Sequence, residues 1–146
     1  MKRFSTIVGL VLLLATAAPR AAEPGALFVH LGGAAGVEAL ASELIDAAVA
    51  DPVIGRSFKD SNLKRVKQHL AEQLCQLSGG GCVYTGDDMR EVHAGHDISE
   101  TEFYGLVDLL SGIMKSRGIA PTDRNRLLAL LAPMKRDIVR VPTDTH

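Results

Sequence analysis

From Val37 onward, apolar residues return at steps of three and four: Val37, Leu40, Ala41, Leu44, Ile45, Ala48 and Val49. That spacing predicts a helix with one buried stripe. Asp51-Pro52 should end it, because a residue before proline is pushed out of the helical region. A short connector carrying Phe58 follows, and Asp60-Ser61-Asn62 then supplies N-cap residues for a second helix. Its stripe is Leu63, Val66, Leu70, Leu74 and Leu77, with Lys64, Arg65 and Lys67 on the other faces and His69 at the stripe's edge. Gly79-Gly80-Gly81 should stop it, since glycine accepts the left-handed cap conformation. Ser99-Glu100-Thr101-Glu102 reads as a capping box before Phe103, Val107, Leu110 and Met114. Gly118 closes that helix, and a last one is expected from about Thr122 to Val141, with Leu127, Leu128, Leu131, Met134 and Ile138 inward. Nothing alternates at period two. The expected fold class is all-α, with four substantial helices and one very short one.

That short helix lies between the glycine run and the polar turn Ala94-Gly95-His96-Asp97. One helical turn, Asp87 to His93, fits there, with Met89 and His93 on one face. A histidine ending a short, loop-flanked helix can reach a cavity between longer helices, where imidazole suits a borderline metal such as haem iron. A histidine alone is more often an ordinary surface or core residue.

Composition narrows the class. The 146 residues suffice for one domain; they are 47% hydrophobic but only 4% aromatic, without tryptophan, which suits an aliphatic helical core. A formal net charge of −1 argues against a nucleic-acid partner. Lys2 and Arg3, the apolar run Ile7 to Leu14 and the small residues Ala15 to Ala18 read as a secretory signal peptide over residues 1–22, with the domain over 23–146. Cleavage after Ala17 or after Ala22 fits; an uncleaved anchor is the alternative. Cleavage after Ala22 removes Lys2, Arg3 and Arg20 and no acidic residue, so the mature chain is mildly acidic and not built for an anionic membrane. Export to the periplasm or beyond implies an oxidising compartment, which favours a Cys75–Cys82 disulfide over two free thiols. The pair is neither CxxC nor CxxCH, which disfavours a dithiol redox motif and covalent haem attachment.

The order of elements, with Leu31-Gly32-Gly33, then Gly79-Gly80 and Tyr84-Thr85-Gly86, then Met89 and His93 followed by Ile98 and Phe103, resembles the truncated haemoglobins of group I. The resemblance runs from Phe28 to about Val141. It implies a two-over-two helical sandwich around one haem b, with His93 as proximal iron ligand and Phe58 on the porphyrin face. It places Val66, Leu70 and Leu74 on the distal side, Ile45 above the iron, and Met89, Ile98 and Phe103 at the haem edge and proximal face. Arg65 and His96 are candidate partners of the propionates. A helical bundle without cofactor, with His93 on its surface, is the alternative.

The departures from the family matter most. Members often carry tyrosine at the position of Ile45 and glutamine at that of Leu70, and those polar groups hold oxygen by hydrogen bonds. Losing them should cost about 1–3 kcal/mol, or roughly one to two orders of magnitude in affinity. His69 is the remaining polar distal candidate; some cyanobacterial members have a histidine at the matching position that binds iron as a sixth ligand. Three functions follow: a binder of oxygen, nitric oxide or carbon monoxide, a bis-histidine redox protein with an unknown electron donor, or a nitric oxide- or peroxide-detoxifying enzyme. Binding or redox is favoured over dedicated catalysis, because the chain has no flavin or nicotinamide module.

Overall fold

The computed structural model describes residues 23–140. The segment read as a signal peptide and the tail 141–146 lie outside the described residues. The helices of the described residues are α1 (Ala26–His30), α2 (Gly33–Ala50), α3 (Leu63–Ser78), α4 (Met89–His93), α5 (Glu100–Ser116), α6 (Pro121–Leu131) and α7 (Lys135–Ile138), with tight 3-10 turns at Gly55–Phe58 and Ala132–Met134. No strand occurs among them.

Helix α2 starts earlier than its apolar stripe predicts. Gly32 and Gly33 take positive φ, and a Cβ on Gly36 would run into the Leu31 carbonyl oxygen. Glycine there lets α1 abut the first turn of α2, and glycine contributes nothing to a hydrophobic count. The helix stops at Asp51, which is extended at φ −73° and ψ 129°, as Pro52 requires. The Asp51 carboxylate then accepts the backbone N–H groups of Val53 and Ile54 and turns the chain toward Phe58.

Helix α2 packs along α3 and across α5, and α6 packs on α5. Leu40, Leu44, Leu74, Leu110, Met114 and Leu127 meet where these helices cross, and each is almost fully buried. Burying one such side chain contributes about 1.5–3 kcal/mol. The expected single C-terminal helix is instead broken. Pro133 lacks the N–H that an α-helix needs, so the chain passes through a 3-10 turn before α7. Helix α7 packs on α4, where Arg90 Nη2 donates to Asp137 Oδ1 at 2.8 Å.

The start of α5 also organises the neighbouring loops. Ser99 and Glu102 form the expected capping box. Glu102, only 4% exposed, also accepts from Arg56 Nη2 at 2.6 Å, and Arg56 donates to the carbonyls of His96 and Asp97 as well. This one guanidinium ties the Phe58 turn to α5 and to the loop after α4. Burial pushes the Glu102 carboxyl up, but the hydrogen bonds from Arg56 and Ser99 outweigh it and leave the group below its ordinary value. Its contribution to stability is therefore complete above the unfolded carboxylate range and is lost as the pH falls through the lowered value. Glu102→Ala should destabilise the fold by about 2 kcal/mol, since a cap and a half-exposed charged hydrogen bond disappear together. Urea unfolding at neutral pH reads this; a midpoint equal to wild type would deny the clamp its role.

Candidate functional site

Helix α3 presents two parallel ridges to a cavity. Val66, Leu70 and Leu74 form an apolar ridge, and Arg65, His69 and Gln73 form a polar one beside it, each at steps of four. The helix is fixed at both ends. Asn62 caps it by accepting Arg65 N–H, and Gly79 closes it with φ 89°.

Opposite α3 stands α4. Asp88 accepts the N–H groups of Arg90 and Glu91 at 2.8 and 2.9 Å and so starts the helix. His93 ends it. Its Nδ1 lies 2.7 Å from the Met89 carbonyl oxygen, so Nδ1–H donates there and the Nε2 lone pair stays available. Burial holds the His93 ring below the ordinary histidine range, outweighing the Met89 hydrogen bond that acts the other way. The site thus keeps a neutral imidazole of fixed tautomer, the form that a metal takes as ligand.

Between α3 and α4 lies a cavity of about 560 Å³. Ile45, Phe58, Arg65, Val66, His69, Leu70, Leu74, Met89, His93 and Phe103 all line it. His96 and Ile98 are not among its wall residues. His96 instead belongs to the loop held by Arg56, and Ile98 is buried with its carbonyl accepting Arg140 N–H. Among the described residues no three His, Cys, Asp or Glu side chains are grouped to hold a bare metal ion. A metal held here through His93 would have to bring further ligands with it.

Gln73, Tyr84 and Gly86 line the cavity without forewarning in the apolar stripes. Gln73 is 9% exposed and its Nε2 lies 3.6 Å from Met89 Sδ, a weak acceptor. Tyr84 joins from the loop, its hydroxyl donating to the Asp87 carbonyl at 2.8 Å; burial, chiefly, pushes its phenol up. Gly86 lies against the Tyr84 ring so closely that a Cβ would strike it. Leu131, Met134 and Ile138 close the far side from the broken C-terminal helix.

His69 reaches the wall with both nitrogens near charged groups. Arg65 Nε donates to its Nε2 at 3.2 Å. Its Nδ1 lies 3.4 Å from Glu72 Oε2 but outside hydrogen-bonding geometry, and this buried atom has no partner among the described residues. In this arrangement neither nitrogen is a free iron ligand, although the ring is at the cavity.

The chain matches the bacterial-like globin family over residues 26–140. The chain belongs to the bacterial-like globins. This globin is 29% identical to a group 1 truncated hemoglobin of Chlamydomonas moewusii, over 87% of its own length and 75% of that protein's. It is 26% identical to a group 1 truncated hemoglobin of Mycolicibacterium paratuberculosis, over 82% and 88% of the two chains. Its fold is similar to the crystal structure of the truncated hemoglobin of Tetrahymena pyriformis in its Fe(III) form, with a TM-score of 0.75 at 21% identity, covering 79% of this chain and 98% of that one. The two-over-two globin architecture accounts for the pairing of α2 with α3 and of α5 with α6. The apolar slot and tautomer-locked His93 are what a haem b requires of its protein.

Proposed function

We propose that this globin is an exported haem b protein that binds oxygen or another diatomic gas, with His93 as the proximal iron ligand. The observation that carries it is the His93 ring, locked by the Met89 carbonyl beside a largely aliphatic cavity. When bound, the haem supplies an iron with an open coordination position for a small gas. The chain's own residues do the rest. His93 presents Nε2, Phe58 gives a flat aromatic face, and Ile45, Val66, Leu70 and Leu74 exclude water. Arg65, at the polar ridge, is placed to meet a propionate. Reduced protein should bind carbon monoxide reversibly after flash photolysis, and an absent carbon monoxide difference spectrum would remove the gas-binding reading.

A bis-histidine redox protein with an electron donor is the second reading, favoured by the presence of His69 on the wall. It requires the Arg65 hydrogen bond to open, because a nitrogen that accepts from a guanidinium cannot also bind iron.

Export is supported by the leader-like residues 1–22. We place a disulfide between Cys75 and Cys82, whose Cα atoms are 5.7 Å apart, within the span of such a bridge. It would join the last turn of α3 to the loop that supplies Tyr84. Closing so short a loop should contribute about 2–3 kcal/mol. Alkylation without reductant, followed by intact mass, should show neither thiol modified; two alkyl groups would mean that the bridge is absent.

A further inference from the structure

Arg65, His69 and Glu72 follow one another along α3 at steps of four and three. Because a guanidinium only donates, the Nε2 that accepts from Arg65 must carry the lone pair, and the proton of the neutral ring is on Nδ1. That N–H points into the neighbourhood of the Glu72 carboxylate without a linear bond. Glu72 is itself well held. Its Oε2 accepts Thr85 N–H at 3.0 Å and Thr85 Oγ1–H at 2.7 Å, and its Oε1 accepts Gln68 Nε2–H at 3.0 Å. Next to Thr85, Tyr84 sets its ring edge against His69, with ring centres 5.9 Å apart. One carboxylate therefore anchors the loop wall and faces the imidazole that this wall touches.

We propose that Glu72 is a positioning residue for the gas site: it holds His69 latched against the cavity wall and so sets how readily that imidazole reaches the iron's open position. The proposal rests on the haem-globin reading above. Latched and ligated states exclude each other, because the Arg65 hydrogen bond and an iron would use the same ring nitrogen. The latch has two restraints: the Arg65 hydrogen bond and the Tyr84 ring packed against the imidazole. Removing Glu72 loosens the second, since Thr85, next to Tyr84, loses the acceptor of both its hydrogen bonds. Arg65 alone then opposes release of the ring. The equilibrium should move toward the ligated state by about 5- to 10-fold, and gas capture should slow by a similar factor, because the free position is populated less.

The test compares reduced, haem-loaded full chains of wild type, Glu72→Ala, the nearly isosteric Glu72→Gln, and the double variant Glu72→Gln, His69→Ala. Visible spectra should show a larger low-spin fraction in both Glu72 variants and none in the double variant. Nitrogen-15 NMR of His69 should report one neutral Nδ1–H tautomer in wild type and a mixture in Glu72→Gln. Spectra and tautomer unchanged in both single variants would overturn the proposal, as would five-coordinate spectra throughout. A wild-type chain that takes up no haem would defeat the globin reading instead. The latch then remains readable by the same NMR measurement on the haem-free chain, where loss of the single tautomer in Glu72→Gln still supports it and no change still overturns it.

Discussion

His93→Ala is expected to yield a folded protein that purifies with at least about ten-fold less haem than wild type. Asp88 starts the helix, the Met89 carbonyl fixes the ring of His93, and Nε2 is left free at the cavity that His93 lines. Even outer partners of a metal-bound histidine typically contribute 10–100-fold to affinity, so loss of the imidazole itself should cost no less. Helical content should survive, because His93 lies outside the hydrophobic core cluster. Haem content per chain and far-ultraviolet circular dichroism measure the two halves separately. Full haem loading with an unaltered spectrum would remove the ligand assignment.

The second large effect is expected at Leu70. A glutamine here would place a carboxamide on the apolar ridge, between Val66 and Leu74. A new hydrogen bond to oxygen held in the cavity, worth about 1–3 kcal/mol, should raise oxygen affinity by roughly one to two orders of magnitude. Carbon monoxide, which gains little from a donor, should change far less. Stopped-flow displacement of oxygen by carbon monoxide reads the difference as slower oxygen release in Leu70→Gln. Equal oxygen release rates in the two proteins would mean that the aliphatic wall does not set affinity.

Much of the helical frame is legible because its signals are local. Asn62, the Ser99–Glu102 box and Gly79 each name a helix boundary by side-chain chemistry, and the structure places all three as boundaries. The start of α2 leaves no periodic trace, because Gly36 acts by close approach to the Leu31 carbonyl and Gly33 by its positive φ. The break at Pro133 interrupts an apolar stripe that continues through Met134 and Ile138, so periodicity alone carries the helix across it. At the site, residues on the apolar ridge and the short helix could be read from spacing and resemblance. Gln73 and Tyr84 could not: one is polar on a helix judged by its apolar stripe, and the other enters from a loop. The four-residue step from His69 to Gln73 was the available clue to a polar ridge. His96 and Ile98 belong to the turn at Gly95 and Asp97, both with positive φ, and are not among the cavity's wall residues.

The chain should hold one haem b through His93, without a covalent link. Pigment extraction from the purified protein, assayed as the pyridine complex, tests it most directly. The expected result is one extractable haem b per chain, with an apoprotein that takes up one equivalent of haemin again. A chain that purifies colourless and binds no added haemin, or whose haem resists acid–acetone extraction, would contradict the account.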